Sequence, residues 1–155
     1  MTSQPLFDMT IGGWLEKWAA ETPDKEAIVY SDRNLRFTYS YLNRRVDELA
    51  KGFLSIGVEK GSHVGLWATN VPDWLTILYA CAKIGAVAVT VNTNYKQSEL
   101  EYLCKNSDMH TLCIIEGDKD SSYIDMTYKM LPELKTCQRG FLKSEAFPRM
   151  KNVVF

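Results

Sequence analysis

Apolar positions recur along the chain with two periods, and the changes of period mark its elements. Thr10 precedes Ile11 to Thr22, where Trp14, Leu15 and Trp18 fall at helical spacing until Pro23-Asp24 stops the segment. This predicts a short amphipathic helix. Glu26 to Ser31 and Leu35 to Thr38 read as strands around the turn-forming Asp32-Arg33-Asn34, and together as a hairpin. Thr38 is placed to cap a helix running to Ile56. Leu42, Val46, Leu49, Ala50 and Phe53 form one apolar stripe opposite charged residues, and Gly57 supplies a left-handed stop.

From His63 the pattern alternates: strand 63–68, helix 72–84, strand 86–91, helix 97–106, strand 111–116, helix 121–131, then a strand beginning at Asn152. Alternation of this kind predicts parallel βαβ units with right-handed crossovers. The expected fold is therefore α/β, a mainly parallel doubly wound sheet with flanking helices, preceded by the N-terminal helix and β-hairpin. Pro72 suits the first turn of its helix and Gly85 its end. Between them Trp74, Leu75, Ile77, Leu78, Tyr79, Ala80, Cys81, Ala82 and Ile84 leave only Asp73 and Lys83 charged, the composition of a helix sandwiched inside a larger protein. The chain stops within the apolar run Asn152-Val153-Val154-Phe155. That predicts either a paired terminal strand or a fragment. The segment 132–151 is mixed in composition and long enough to hold short elements of its own.

Composition narrows the function. The 155 residues carry 18 Lys plus Arg against 19 Asp plus Glu, a net charge of −1, and 46% hydrophobic residues, the profile of about one globular domain. No basic stripe offers itself to nucleic acid, and no polybasic segment to an anionic membrane. The apolar stretch from Trp74 to Val91 is interrupted by Thr76, Lys83, Gly85 and Thr90, where a transmembrane segment needs roughly 20 apolar residues. Met1 to Ile11 lacks the pattern of a signal peptide, so a cytoplasmic protein is expected.

Candidate chemistry is sparse. Cys81, Cys104, Cys113 and Cys137 lie 23, 9 and 24 residues apart, unlike close-spaced zinc or redox motifs, and read as buried reduced thiols. His63 follows a turn and His110 precedes a strand-like run, so no metal centre is expected. Gly52 and Gly57 are followed by Val58-Glu59 where a P-loop requires Lys and Ser or Thr, and no G-x-G-x-x-G, G-x-S-x-G or H-E-x-x-H is present. Glu99 with Glu101, and Asp118 with Asp120, read as solvated charges rather than an acid–base pair.

Three stretches carry a resemblance. The first is Phe37-Thr38-Tyr39-Ser40-Tyr41-Leu42-Asn43 leading to Gly57. The second is Gly61-Ser62-His63-Val64-Gly65-Leu66-Trp67 followed by Asn70-Val71-Pro72-Asp73-Trp74. The third is Ala82-Lys83-Ile84-Gly85-Ala86-Val87-Ala88-Val89 followed by Asn92-Thr93-Asn94-Tyr95-Lys96 and Ser98-Glu99-Leu100. Pro23-Asp24-Lys25-Glu26-Ala27 fits as an opening. In this order, over residues 10–116, they resemble the N-terminal part of the AMP-forming, adenylate-forming acyl-CoA synthetases. Asn92 to Lys96 and the Trp-rich start look most like the fatty acyl-CoA synthetases. Two departures stand out. The family often has Glu at the position of Tyr41, which would close a capping box after Thr38, and often Pro at Thr90 or Thr93, so the backbone after strand 86–91 is expected to be less fixed.

The resemblance implies that residues 1–155 are an incomplete portion of a larger N-terminal domain, followed by a small C-terminal domain. It also implies a reaction of the full-length protein. ATP and Mg2+ activate a fatty acid or related carboxylate to an acyl-adenylate with release of pyrophosphate, and CoA then gives the thioester and AMP. The family's phosphate loop, adenine- and magnesium-binding segment, ribose-binding Asp, hinge and catalytic Lys have no counterpart in these residues. No catalytic residue is therefore assigned, and the fragment is expected to be inactive and to self-associate through Val153-Val154-Phe155. In some CoA ligases a basic residue in the loop matching Asn92–Lys96 approaches a CoA phosphate. Here that position holds Asn94, leaving Lys96 as the nearest cation, with a solvated lysine at the start of helix 97–106 as the plainer reading. The alternatives in other classes are a stand-alone α/β binding or interaction module without catalysis, and an unrelated doubly wound receiver. The strand ends near Trp67 and Val91 lack the acids a receiver needs.

Overall fold

A computed structural model describes residues 8–118 and 121–155. Helix α1 (Ile11–Glu21) is capped by Thr10, whose hydroxyl accepts from the Gly13 amide at 3.0 Å. Strands β1 (Glu26–Tyr30) and β2 (Leu35–Thr38) pair antiparallel around a 3-10 turn, Ser31–Arg33, closed by left-handed Asn34. Arg36 Nη1 reaches both Glu26 carboxylate oxygens at 2.9 Å across this hairpin. Helix α2 (Tyr39–Ser55) starts on Thr38, whose Oγ1 accepts from Tyr41 N at 3.2 Å. With Tyr41 in place of an acid, the other half of the capping box is replaced by a ring contact, Tyr41 against Phe37 at 4.9 Å.

The central sheet has four parallel strands in the order β4 (Val87–Thr90), β3 (His63–Trp67), β5 (Thr111–Ile114), β8 (Asn152–Val154). Helix α3 (Pro72–Ile84) joins β3 to β4, and α4 (Gln97–Asn106) joins β4 to β5. A short antiparallel pair, β6 (Gly117–Asp118) and β7 (Ser121–Ser122), then leads into α5 (Tyr123–Met130).

Several expected boundaries shift by one or two residues, among them the end of strand 63–68, which falls at Trp67. Strand 86–91 pairs over 87–90, and 111–116 over 111–114. Helix 121–131 begins at Tyr123, because Ser121 and Ser122 are taken into the β6–β7 pair and Ser122 Oγ caps the helix by accepting from Asp125 N at 3.0 Å. It ends at Met130 because Leu131 precedes Pro132, which opens a 3-10 turn, Pro132–Lys135.

Alternation along each strand divides the core in two. Val64 and Cys113 face Leu42, Val46, Ala50, Phe53 and Ala80 from α2 and α3. Trp67, Leu112 and Ile114 face Leu100 and Cys104 from α4 and Tyr123 and Met130 from α5. The sheet is thus doubly wound. Gly65 leaves room for the end of the Met109 side chain, which a Cβ there would displace. Helix α3 buries Thr76, Ala80 and Cys81 and leaves Trp74, Leu75 and Leu78 half-buried. Lys83 does not face water: it is 10% exposed and bonds Glu16 at 2.8 Å and Asp47 at 2.6 Å. Among the described residues no helix is long and apolar enough to cross a membrane.

Candidate functional site

In an open parallel sheet the ligand crevice lies beyond the carboxyl ends of the strands, where successive connections leave in opposite directions. Here β4 lies on one side of β3 and β5 on the other, so the crevice opens between the ends of β3 and β5. A cavity of about 620 Å³ occupies that position, lined by Arg33, Tyr41, Arg45, Thr69, Asp73 and Glu116 among others. The hairpin and the start of α2 supply one wall, which no local sequence pattern revealed. Only the strand order locates it. Arg45 Nη2 bonds Asp73 Oδ1 at 2.9 Å, joining α2 to the first turn of α3. A neighbouring groove of about 970 Å³ runs along the sheet between α2, α3 and the strands β5 and β8, lined by Leu49, Phe53, Trp74, Cys113 and Phe155 among others.

The loop after β4, Val91 to Lys96, is the second feature of this end. Contrary to the expectation of a less fixed backbone, two buried aromatic side chains hold it. Trp67 and Tyr123 stack at 3.9 Å with their planes 10° apart. Trp67 Nε1 donates to the Asn92 carbonyl at 3.2 Å and Tyr123 OH to the Thr93 carbonyl at 2.9 Å. Burial and the nearby Asp118 push the Tyr123 hydroxyl above its ordinary pKa, with the bond to Thr93 opposing. Asn92 Oδ1 accepts from Asn94 N at 2.9 Å, folding the loop locally.

Lys96 is the exposed cap of α4. Glu99 Oε2 accepts from its backbone amide at 2.9 Å, and its Nζ lies 3.1 Å from Ser121 Oγ. Asn94 is also exposed. The paired acids separate into structural roles. Glu99 caps α4, Glu101 accepts from Gln97 Nε2 at 2.8 Å, and Asp118 belongs to β6. Asp120 lies outside the described residues.

At the opposite end of the sheet the structure brings His63 and His110 to one cavity of about 430 Å³, with Asp108, Arg149 and Lys151. Sequence reading had no reason to join them, since β3 and β5 become neighbours only in the fold. His63 Nδ1 bonds the Ser107 carbonyl at the end of α4, and Arg149 pairs with Asp108 at 3.1 Å. Burial and Lys151 lower the His110 pKa below its ordinary 6.5, with Glu59 opposing. Among the described residues no three or more His, Cys, Asp or Glu side chains converge on a metal-sized position.

Known proteins share this fold. The family model described as AMP-binding enzyme matches residues 15–150. The chain is 45% identical over 150 residues to YngI of Bacillus subtilis (strain 168), a protein assigned by name to the acyl-CoA synthetases. The match covers 97% of this chain and 27% of YngI. It is 36% identical over 153 residues to the mitochondrial medium-chain acyl-CoA ligase ACSF2 of Mus musculus, covering 99% of this chain and 25% of that protein. The solved Mycobacterium tuberculosis fatty acyl CoA synthetase superposes with a TM-score of 0.75 at 21% identity, over 94% of this chain and 26% of that one. The 155 residues therefore span about a quarter of each relative's length. With its family model matched over most of its length and its parallel sheet superposed on a synthetase of that kind, the chain belongs to the AMP-binding enzyme family.

Proposed function

We propose that residues 1–155 are the N-terminal part of the large domain of an acyl-CoA synthetase-like protein, the remainder of that domain and a C-terminal domain lying beyond them. The full-length protein converts a carboxylate and ATP to an acyl-adenylate and pyrophosphate, then transfers the acyl group to CoA with release of AMP. The observation that carries this reading is the AMP-binding match over residues 15–150. A fatty acid or related carboxylate is the proposed substrate, in line with the medium-chain and fatty acyl names of the two relatives. The cytoplasm is the proposed compartment.

The described residues do not by themselves fit ATP and Mg2+. Gly57, Gly61, Gly85 and Gly140 have positive φ, but they follow helices or sit in turns, and none opens a helix as a phosphate-cradling loop does. Stabilising charge on transferring phosphates needs preorganised donors and a metal ion, so the segment alone is proposed to be non-catalytic. CoA has one candidate contact here: Lys96, exposed at the start of α4, as an auxiliary partner for a CoA phosphate. The open edge of β8, with Phe155 74% exposed, is the proposed route of self-association of the isolated segment. Light scattering showing a clean monomer at high concentration would remove that last point.

Carboxylate-dependent ATP–pyrophosphate exchange tests the main reading. It should appear with the full-length protein and be absent with highly purified residues 1–155. Exchange by the segment that is lost on mutating it would overturn its non-catalytic role, and a full-length protein inert toward every carboxylate would overturn the synthetase. Lys96→Ala in the full-length protein should raise the KM for CoA and leave adenylate formation nearly unchanged, as for loss of a uniform binding contact. An unchanged CoA dependence at low salt would dispose of the contact.

A further inference from the structure

We propose that the stacked pair Trp67–Tyr123 is a positioning device for CoA capture: it sets the loop Asn92–Lys96, and with it the Lys96 ammonium, at the carboxyl end of the sheet. The proposal rests on the Lys96 reading above and adds two residues that touch neither CoA nor the reacting atoms.

Both rings are fully buried at 0% exposure. If the position required only volume, a pair of Phe or Leu side chains would fill it without a polar group to satisfy. Instead each ring aims its hydrogen-bond donor at a carbonyl of the same loop, Trp67 at Asn92 and Tyr123 at the adjacent Thr93. Coplanar stacking locks one ring against the other, so neither donor can swing away alone. Trp67 ends β3 and Tyr123 begins α5. The loop after β4 is therefore tied to two elements remote from it in sequence.

Lys96 is coupled to the same pair from both sides. Its backbone is held by Glu99 and by the loop the rings grip, since Tyr95 N also donates to the Asn92 carbonyl at 3.1 Å. Its ammonium lies 3.1 Å from the hydroxyl of Ser121, two residues before Tyr123. One turn of chain thus places the ring that fixes the loop and the hydroxyl that orients the lysine. No proline restricts the backbone between Val89 and Lys96. Here hydrogen bonds to the two carbonyls supply the restriction. Removing the tyrosine hydroxyl leaves the Thr93 carbonyl without that donor, and a displacement of the loop by about 1 Å is enough to impair a charged contact that depends on placement.

The experiment uses the full-length protein with Tyr123→Phe, which keeps the stack, Trp67→Phe, Lys96→Ala and the double variant Tyr123→Phe/Lys96→Ala. Val46→Ala serves as a stability control, because Val46 is buried on the other face of the sheet. The readouts are the KM for CoA, the ATP–pyrophosphate exchange rate, thermal midpoints, and hydrogen exchange of the Asn94, Tyr95 and Lys96 amides. Tyr123→Phe should raise the KM for CoA about threefold to tenfold with exchange activity retained. The double variant should be no worse than Lys96→Ala alone, and the loop amides should exchange faster. Val46→Ala should lower the thermal midpoint without moving the KM. If Lys96→Ala raises the KM and Tyr123→Phe does not, the positioning role is wrong while the Lys96 contact stands. If Lys96→Ala changes nothing, the CoA contact is wrong, and with it the proposed purpose of the pair. Unaltered exchange of the three amides in Tyr123→Phe would overturn the device altogether.

Discussion

Replacing Lys83 by Met tests the packing logic of the N-terminal half most directly. Lys83 sits near the end of α3 with its ammonium 2.8 Å from Glu16 on α1, 2.6 Å from Asp47 on α2 and 2.9 Å from Asn43 Oδ1. Three helices are therefore joined at one cation. Burial alone would lower its pKa, but the bonds to Asp47 and Glu16 outweigh burial and raise it above 10.5. Gly12 allows the close approach: a Cβ there would lie 2.8 Å from Lys83 Cγ. Met keeps the unbranched stem and deletes the charge. The Glu16 and Asp47 side chains are 59% and 42% exposed, so after the change they return to water rather than remain as buried unpaired charges. The cost is then nearer that of the lost charged hydrogen bonds, about 1–2 kcal/mol, than the larger penalty of breaking a fully buried pair. For a chain of this length that corresponds to a fall in thermal midpoint of roughly 3–6 °C. The raised pKa fixes the sign with pH. The stabilisation is complete below about pH 10.5 and is lost as pH rises through the folded-state value, so wild type and variant should converge in alkali. Equal midpoints near pH 7, or a gap that survives the alkaline titration, would refute the account.

Two further outcomes follow from the interior. Burial pushes the Cys81 thiol up to about 11 and those of Cys104 and Cys113 up to about 12, whereas Cys137 is only half-buried. An alkylating reagent near pH 8 should label Cys137 first and the other three only on unfolding; equal rates in the folded chain would contradict this. The lowered His110 pKa means that the unfolded state binds the proton more readily. Stability should therefore be full above pH 6.5 and decline as pH falls toward the folded-state value, with His110→Gln flattening that part of the profile. An unchanged slope in the variant would assign the loss to other groups.

Much of the fold was legible because its signals are local. Period, caps and breakers sit within a few residues of what they control. Thr10, Thr38, Pro72 and Gly85 each act at the helix end where sequence placed them. A boundary slipped where strand pairing competes for the same residues. Ser121 and Ser122 have the pattern of a helix start, yet pairing with Gly117 and Asp118 draws them into a strand. Lys83 shows the same limit in charge. Its position in sequence marks it as one of two charges on an apolar helix, while its burial depends on carboxylates 67 and 36 residues before it.

The carboxyl end of the sheet was legible in outline and not in mechanism. Strand alternation predicts where the loop Asn92–Lys96 lies, and resemblance singles out Lys96 within it. Neither reveals that Trp67 and Tyr123 meet, because a stack between residues 56 apart leaves no periodic trace. The missing proline illustrates the difference. Read locally, its absence predicts a looser backbone, since a free φ enlarges the ensemble that must be ordered. Read in three dimensions, donors from β3 and α5 hold the carbonyls of two successive loop residues. A ring closure limits φ in every state of the chain, whereas these bonds exist only once the sheet and α5 are assembled. The order of this loop is thus conditional on tertiary structure, and perturbations of α5 should reach Lys96 without altering a single residue of the loop that carries it.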